Sequence, residues 1–191
     1  PLATATVGGT ATICESATGT ITFTGTLGTP PFTFTYNVDN GPAQTITTAA
    51  GQNTVSIVID TISGTYTFNL TAVNDFHNCN QTQNDNAVLT VESMPSVSIT
   101  AGANPTICEN ANTDITATPI NATVTSWTVL SGPGTIVGTG NTETFNGGGA
   151  GTAGTSVVEV EVTGNGSCGA ATAVATTTVI TETLPNVSIT A

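Results

Sequence analysis

The heptapeptide PSVSITA at 95–101 returns as PNVSITA at 185–191, so this chain must adopt a fold that it can adopt more than once. Upstream, PLATATVGGTATIC (1–14) and PSVSITAGANPTIC (95–108) each set a cysteine thirteen residues after a proline, and each continues with a glutamate, Glu15 or Glu109. The three prolines are spaced by 94 and then 90 residues, and a second cysteine falls 16 or 17 residues before the next proline (Cys79, Cys168). These offsets divide the chain into domains 1–94 and 95–184, with 185–191 as the first strand of a following repeat.

Within each repeat the apolar residues alternate with threonine over short runs bounded by turn residues, the signature of an all-β sandwich. Thr20-Ile21-Thr22-Phe23-Thr24, Phe32-Thr33-Phe34-Thr35-Tyr36 and Tyr66-Thr67-Phe68-Asn69-Leu70 put apolar side chains on one face and polar ones on the other. In the first repeat the pattern predicts strands near 2–7, 19–25, 31–38, 43–48, 53–60, 64–74 and 86–92, with Asp39-Asn40-Gly41 as a tight turn that uses glycine for a positive φ. In the second, Ser156–Val162 and Ala171–Ile180 follow the same logic. No segment carries a 3.6-residue apolar period, so essentially no helix is expected.

Composition narrows the function. The chain has no lysine or arginine, twelve carboxylates and a formal net charge of −12. Nucleic-acid binding, which draws its affinity from cations on phosphates, is excluded, as are attraction to anionic lipid and a P-loop nucleotide site. Stability has to come from apolar burial, β-ladder hydrogen bonds and disulfides. Threonine, the commonest residue at 44 of 191, is β-branched and keeps a strand surface wet without charge. No run approaches the ~18 apolar residues of a membrane span, and no signal peptide is visible, which points to truncation and not to a cytoplasmic home.

The segments GTPPFTFTYNVDNGPAQTITT (28–48) and GTYTFNLTAVND (64–75), followed by Cys79, resemble the immunoglobulin-like repeats of giant Bacteroidetes cell-surface proteins. TICEN (106–110), SWTVLSGPGTI (126–136) and EVEVTGNGSCGAATA (159–173) resemble the PKD-like repeats of the same proteins; GGGAG (147–151) departs from that pattern and predicts an irregular loop. The resemblance implies two tandem immunoglobulin-like (PKD-like) β-sandwich domains, head to tail. It also implies an extracellular, surface-attached parent such as a gliding-motility adhesin exported by type IX secretion.

An even cysteine count in an exported chain points to disulfides at Cys14, Cys79, Cys108 and Cys168, and the absence of CxxC or Cys/His pairing argues against zinc. Connectivity is open. Pairing within repeats joins Cys14 to Cys79 and Cys108 to Cys168. In a sandwich, however, a cysteine before the second strand and one in the last hairpin lie at opposite poles, about 25 Å or more apart, whereas a disulfide needs Cα atoms within about 7 Å. That mismatch favours a staple from Cys14 of one module to Cys168 of the next, with Cys79 and Cys108 pairing to further modules.

Other residues are weighed against plainer roles. His77, near Asp75, invites a general-base reading, but in an asparagine-rich hairpin without partners it reads as a surface residue. Trp127 alternates with Ser126 and Thr128 and reads as core, the other reading being a sugar-stacking platform. The carboxylates show no calcium-loop spacing, leaving a junction site using Glu15, Glu92 or Glu109 as a minor reading. N-x-S/T triplets begin at Asn69, Asn80, Asn121, Asn165 and Asn186, as frequent as chance in so polar a chain. Asp60-Thr61-Ile62 fits the Bacteroidetes O-glycosylation pattern, which makes Thr61 a candidate. No cofactor and no catalytic set is expected.

The function expected is that of a disulfide-stiffened spacer or stalk in an extracellular adhesin or filament. Its partners would be neighbouring repeats, other copies in a filament, or surface polysaccharide, with no nucleic acid and no membrane insertion. The alternatives are a carbohydrate- or surface-binding module, which co-planar exposed aromatics would favour, and an accessory domain of a secreted hydrolase. Ice binding calls for a flatter, shorter repeat.

Overall fold

Threonine-apolar alternation becomes strand in a computed structural model that describes residues 2–60, 62–99 and 105–185. The candidate Thr61 and residues 186–191, the expected opening of a third repeat, lie outside the described residues. Two compact units follow one another along the chain, Pro1–Ser93 and Met94–Ala191.

The first unit has eight strands: β1 (Thr4–Gly8), β2 (Ala11–Cys14), β3 (Gly19–Leu27), β4 (Thr33–Val38), β5 (Gln44–Thr47), β6 (Thr54–Ile59), β7 (Gly64–Asn74) and β8 (Asn80–Glu92). One sheet runs β1-β3-β6 and the other β2-β8-β7-β4-β5. All neighbours are antiparallel except β2 and β8, which pair in parallel from Ala11↔Leu89 to Cys14↔Glu92. The chain leaves the first sheet for the second at Gly9, whose φ of +111° and position would bring a Cβ within 2.2 Å of the Thr20 carbonyl oxygen. Only glycine fits that crossing.

Alternation places Ile21, Phe23, Phe34, Leu70, Val73 and Leu89 in the space between the sheets, all fully buried. The aromatic rings there are packed against one another, Phe23 with Tyr36 at 4.8 Å and with Phe34 at 5.6 Å between centroids. Outside, hydroxyls pair across strands: Thr4 with Thr26 and Thr22 with Ser56, both at 2.7 Å, and Thr33 with Thr47 at 2.9 Å. Such cross-strand pairs take the place that ion pairs hold in an ordinary sheet surface.

The strand expectations need three corrections. At the β4–β5 turn it is Asp39 and Asn40, not Gly41, that take positive φ (51° and 60°), because Gly41 closes the turn by donating its N–H to the Val38 carbonyl at 2.8 Å. Strand β2 was not expected, since TATIC is short and its parallel partner lies far off in sequence. Strand β8 starts at Asn80, six residues earlier than expected, because the polar run NQTQND hides its pairing with β7. Its side chains are used: Gln83 Oε1 accepts the Ala5 N–H at 3.2 Å and Asp85 Oδ2 the Val7 N–H at 2.9 Å, so β8 satisfies backbone donors of β1.

The second unit repeats the plan with β9 (Ser96–Ile99), β10 (Thr106–Cys108), β11 (Asn112–Ile120), β12 (Ala122–Ser131), β13 (Thr142–Asn146), β14 (Gly154–Gly164) and β15 (Thr172–Glu182). The sheets are β13-β11-β9 and β10-β15-β14-β12, with β10 parallel to β15. One 3-10 turn at Gly166–Cys168 is the only helical element among the described residues. Residues 147–151 form an irregular loop in which Gly148 and Gly151 both have φ near +81°. The core gathers Ile115, Trp127, Phe145, Val158, Val160, Val162 and Val179.

Truncating Phe23 to alanine should destabilise the first unit by about 3–5 kcal/mol, through lost burial and the cavity left behind. Urea denaturation would show this as an early first transition; an unchanged midpoint would contradict the packing described.

Candidate functional site: the cysteine-bearing poles

Each unit has a leading pole, where its first strand begins, and a trailing pole, where its last strand ends. Cys14 closes β2 beside Glu92, the final residue of β8, so it sits at the trailing pole. Cys108 closes β10 beside Glu182, the final residue of β15, and repeats that position. The next amide extends each ladder, Glu15 N–H to the Glu92 carbonyl and Glu109 N–H to the Glu182 carbonyl, both at 2.9 Å.

The glutamate that follows each of these cysteines is a brace. Glu15 Oε1 accepts the Ser63 N–H at 3.3 Å, just before β7 begins. Glu109 is buried, and its Oε1 accepts the Gly151 and Ala153 N–H groups at 2.9 and 3.2 Å, just before β14 begins. Both carboxylates thus hold the loop that leads into the second-last strand of their own unit. The described residues contain no group of three or more metal-binding side chains.

Cys79 belongs to the leading pole, one residue before β8. Asp75 organises its loop: Oδ1 accepts the N–H groups of His77 (2.9 Å) and Cys79 (3.0 Å), and Oδ2 accepts that of Thr29 (3.2 Å). The Cys79 amide is the largest influence holding the Asp75 carboxyl below its ordinary value of 3.8; burial opposes it, and the Thr29 and His77 amides and the His77 ring reinforce it. His77 itself is exposed, its Nδ1 3.8 Å from Asp75 Oδ2, as suits a surface loop. Proximity to His77 in the sequence does not disclose this role; the signal for it is an aspartate at the end of a strand, two and four residues before the amides it accepts.

Cys168 occupies the leading pole of the second unit. The 3-10 turn holds it, with its N–H donated to the Asn165 carbonyl at 3.0 Å, while Asn165 N–H reaches the Asn121 carbonyl at 3.0 Å. Its burial is nearly complete.

Each unit therefore carries one cysteine at each pole. Thirteen-residue β8 separates Cys14 from Cys79 by about 40 Å, and eleven-residue β15 separates Cys108 from Cys168 by about 33 Å. Pairing within repeats fails on that distance. Cys14 and Cys168, both buried, are disulfide-bonded; Cys79 and Cys108, both exposed, are free thiols.

No protein-family model matches this chain, and no curated protein does. Among solved structures it is similar to the I-band fragment I67–I69 from titin, with a TM-score of 0.51 and 13% identity over 96% of this chain and 66% of that one. It is also similar to an E-to-A variant of those three immunoglobulin domains, with a TM-score of 0.51 and 14% identity over 95% and 66% of the two chains. The chain thus spans about two thirds of the length of these fragments. Shared topology at such low identity speaks for architecture. The fold is immunoglobulin-like.

Two aromatic residues take their places in that immunoglobulin-like frame. Trp127 lies buried on β12, the fourth strand of its sandwich, its Nε1–H donated to the Gly140 carbonyl at 2.9 Å, as the core reading expects. Tyr66, at the start of β7, is partly buried against the core, and it also donates its hydroxyl to the Ile62 carbonyl at 2.9 Å, a tyrosine corner that alternation alone does not reveal. Phe23, Phe32, Phe34, Tyr36 and Phe68 are buried; Phe76 is the one exposed aromatic side chain among the described residues. Asn69, Asn80, Asn121 and Asn165 are described, and Asn69 Nδ2 donates to Asn37 Oδ1 at 3.0 Å; Asn186 lies outside the described residues. No described helix is long and apolar enough to cross a membrane.

Two outcomes follow from the braces. Asp75, its folded pKa depressed, stabilises fully above about pH 4 and loses that contribution as pH falls through its lower folded value. Urea midpoints between about pH 2 and 5 should therefore depend less on pH in Asp75→Asn than in the parent. Glu109→Ala leaves two loop amides without their acceptor and should cost the second unit about 1–3 kcal/mol, while Glu109→Gln retains most of the stability.

Proposed function

We propose that this chain is a stretch of an extracellular, cell-surface stalk whose immunoglobulin-like modules are covalently stapled in series. In this reading Cys14 and Cys168, the two bonded cysteines, are bonded to each other and tie the trailing pole of the first module to the leading pole of the second. The observation that carries it is the polar placement of the cysteines together with their bonding state. Tandem immunoglobulin-like domains commonly serve as spacers. Among the described aromatic side chains only Phe76 is exposed, Tyr66 is partly buried and the rest are buried, which favours a spacer over a polysaccharide-gripping module. The disulfide and the fold are typical of extracellular domains. Carried further, the resemblance to repeats of giant Bacteroidetes surface proteins makes the parent an adhesin of gliding-motility type, exported by type IX secretion, with neighbouring repeats as its immediate partners.

The mechanical consequence is specific. A Cys14–Cys168 bond diverts a pulling force past residues 15–167, so most of both modules is shielded from extension. Stretched by its ends, the oxidised chain should yield only its terminal segments; adding a reductant should release about 500 Å of further contour length. Peptide mapping of a non-reduced peptic digest should recover Cys14 joined to Cys168. Recovery of a Cys14–Cys79 peptide, or full extension of the oxidised chain, would refute the staple.

A further inference from the structure

A strand at the edge of a sheet offers unpaired backbone groups to any other strand, so folds blunt their edges with short strands, bulges or covering side chains. The four sheets among the described residues have eight edges, and seven are blunted in these ways. Strands β2, β5 and β9 have four residues each, and β10 has three. Strand β12 is broken by register shifts at Val124/Ser126 and Val129/Ser131. On β13, Asn146 exchanges both backbone bonds with Thr135, a residue of the loop before it. The open side of β1 is covered by β8, whose Gln83 and Asp85 side chains accept the Ala5 and Val7 N–H groups. The exception is β6.

Strand β6 reads TVSIVI, with no charge, glycine or proline, and it pairs with β3 over its whole length without a register shift. Gly25 N–H is donated to the Asn53 carbonyl at 2.8 Å, which fixes the phase of that ladder. Hydrogen-bonded pairs alternate with non-bonded ones along antiparallel strands. Val55, Ile57 and Ile59 therefore direct their N–H and C=O groups at β3, whereas Thr54, Ser56 and Val58 direct theirs outward. The Thr22–Ser56 hydroxyl pair agrees with this phase, because side chains stand closer at the non-bonded positions. Thr54, Ser56 and Val58 also have exposed side chains, Val58 by 68%. The open edge runs along the flank of the sandwich and not across either pole.

We propose that β6 pairs antiparallel with β6 of a second copy of the chain, about a two-fold axis at Ser56. The contact is independent of the staple and lies off the poles, so it leaves them to the neighbouring modules in series. The outward groups fix its register: Thr54 meets Val58 of the second copy, Ser56 meets Ser56, and Val58 meets Thr54. Val55 then stands beside Ile57 of the second copy on the inner face, and two three-stranded sheets become one. Charge selects this occupant. Each copy has a formal charge of −12 and no lysine or arginine, yet β6 holds no carboxylate, and Asp60 beside it falls level with Gln52 of the second copy. No carboxylate meets another across the axis, and a cationic peptide finds no countercharge on the strand. The edge matches an uncharged, β-branched strand, which is what β6 itself is. A six-residue pairing buries less than the roughly 1,200 Å² of a stable interface, so a single pair is weak. Salt strengthens it by screening the two like-charged copies.

The test uses the full chain carrying Cys79→Ser and Cys108→Ser, with Cys14 and Cys168 left bonded. Thr54→Cys, Ser56→Cys or Val58→Cys is added, and each protein is exposed to oxidised glutathione at high salt. Facing Cα atoms of a hydrogen-bonded pair lie about 5.5 Å apart, within reach of a disulfide. Ser56→Cys should link to itself; Thr54→Cys and Val58→Cys should each stay single and should link when mixed. In the chain without these cysteines, sedimentation equilibrium should show a concentration-dependent dimer. Val58→Pro removes one outward N–H and spares those facing β3, and it should weaken that dimer at least about tenfold. Ser56→Asp sets two carboxylates opposite each other on the axis, and it should weaken the dimer with little change in the urea midpoint. Self-linking at Thr54→Cys or Val58→Cys, absence of linking at every position, or a dimer untouched by both Val58→Pro and Ser56→Asp would overturn the proposal.

Discussion

A carboxylate in this protein cannot pair with a lysine or arginine, because there are none. Yet Asp75, Asp85 and Glu109 are drawn into the structure, and each is met by backbone N–H groups. Charge-assisted bonds to amides are among the stronger hydrogen bonds available, and here they fix loops that regular strand pairing leaves free. Asp75 sets the β7–β8 hairpin, Glu15 and Glu109 set the approach to β7 and β14, and Asp85 satisfies a donor of β1. The same substitution of amide and hydroxyl for cation runs over the sheet surfaces, where threonine pairs with threonine or serine.

That economy explains what could be read from the residues and what could not. Phe23, Phe34, Tyr36 and Leu70 announced their strands because alternation with threonine is a local signal that burial then uses directly. Trp127 was legible for the same reason. Strand β2 was not, since its reason for being a strand is Leu89 to Glu92, more than seventy residues away in sequence. Asn80–Asp85 looked like loop because its side chains serve β1 and its pairing with β7 has no apolar face. The Asp39-Asn40 turn was located, but its positive φ values were assigned to the wrong residue.

The cysteines were located from spacing alone, and their poles followed from an assumed sandwich order. Strand length decides the matter: β8 and β15 are long enough to make pairing within a unit impossible, so each sandwich presents one sulfur at each end. Which loop holds each sulfur, and how, was invisible, because the brace on Cys79 is a side chain and that on Cys168 is a 3-10 turn at a glycine-rich site. The immunoglobulin-like frame imposes the poles, and local chemistry sets the exposure of each thiol.

The hydroxyl pairs across the strands carry a last implication. A threonine hydroxyl both gives and receives a hydrogen bond and does not titrate in water, and dissolved ions screen charges, not neutral dipoles of this kind. Contacts such as Thr22–Ser56, Thr33–Thr47 and Thr116–Thr142 are therefore indifferent to the ionic make-up of the medium. The outer weave of these sandwiches holds alike in fresh water and in brine.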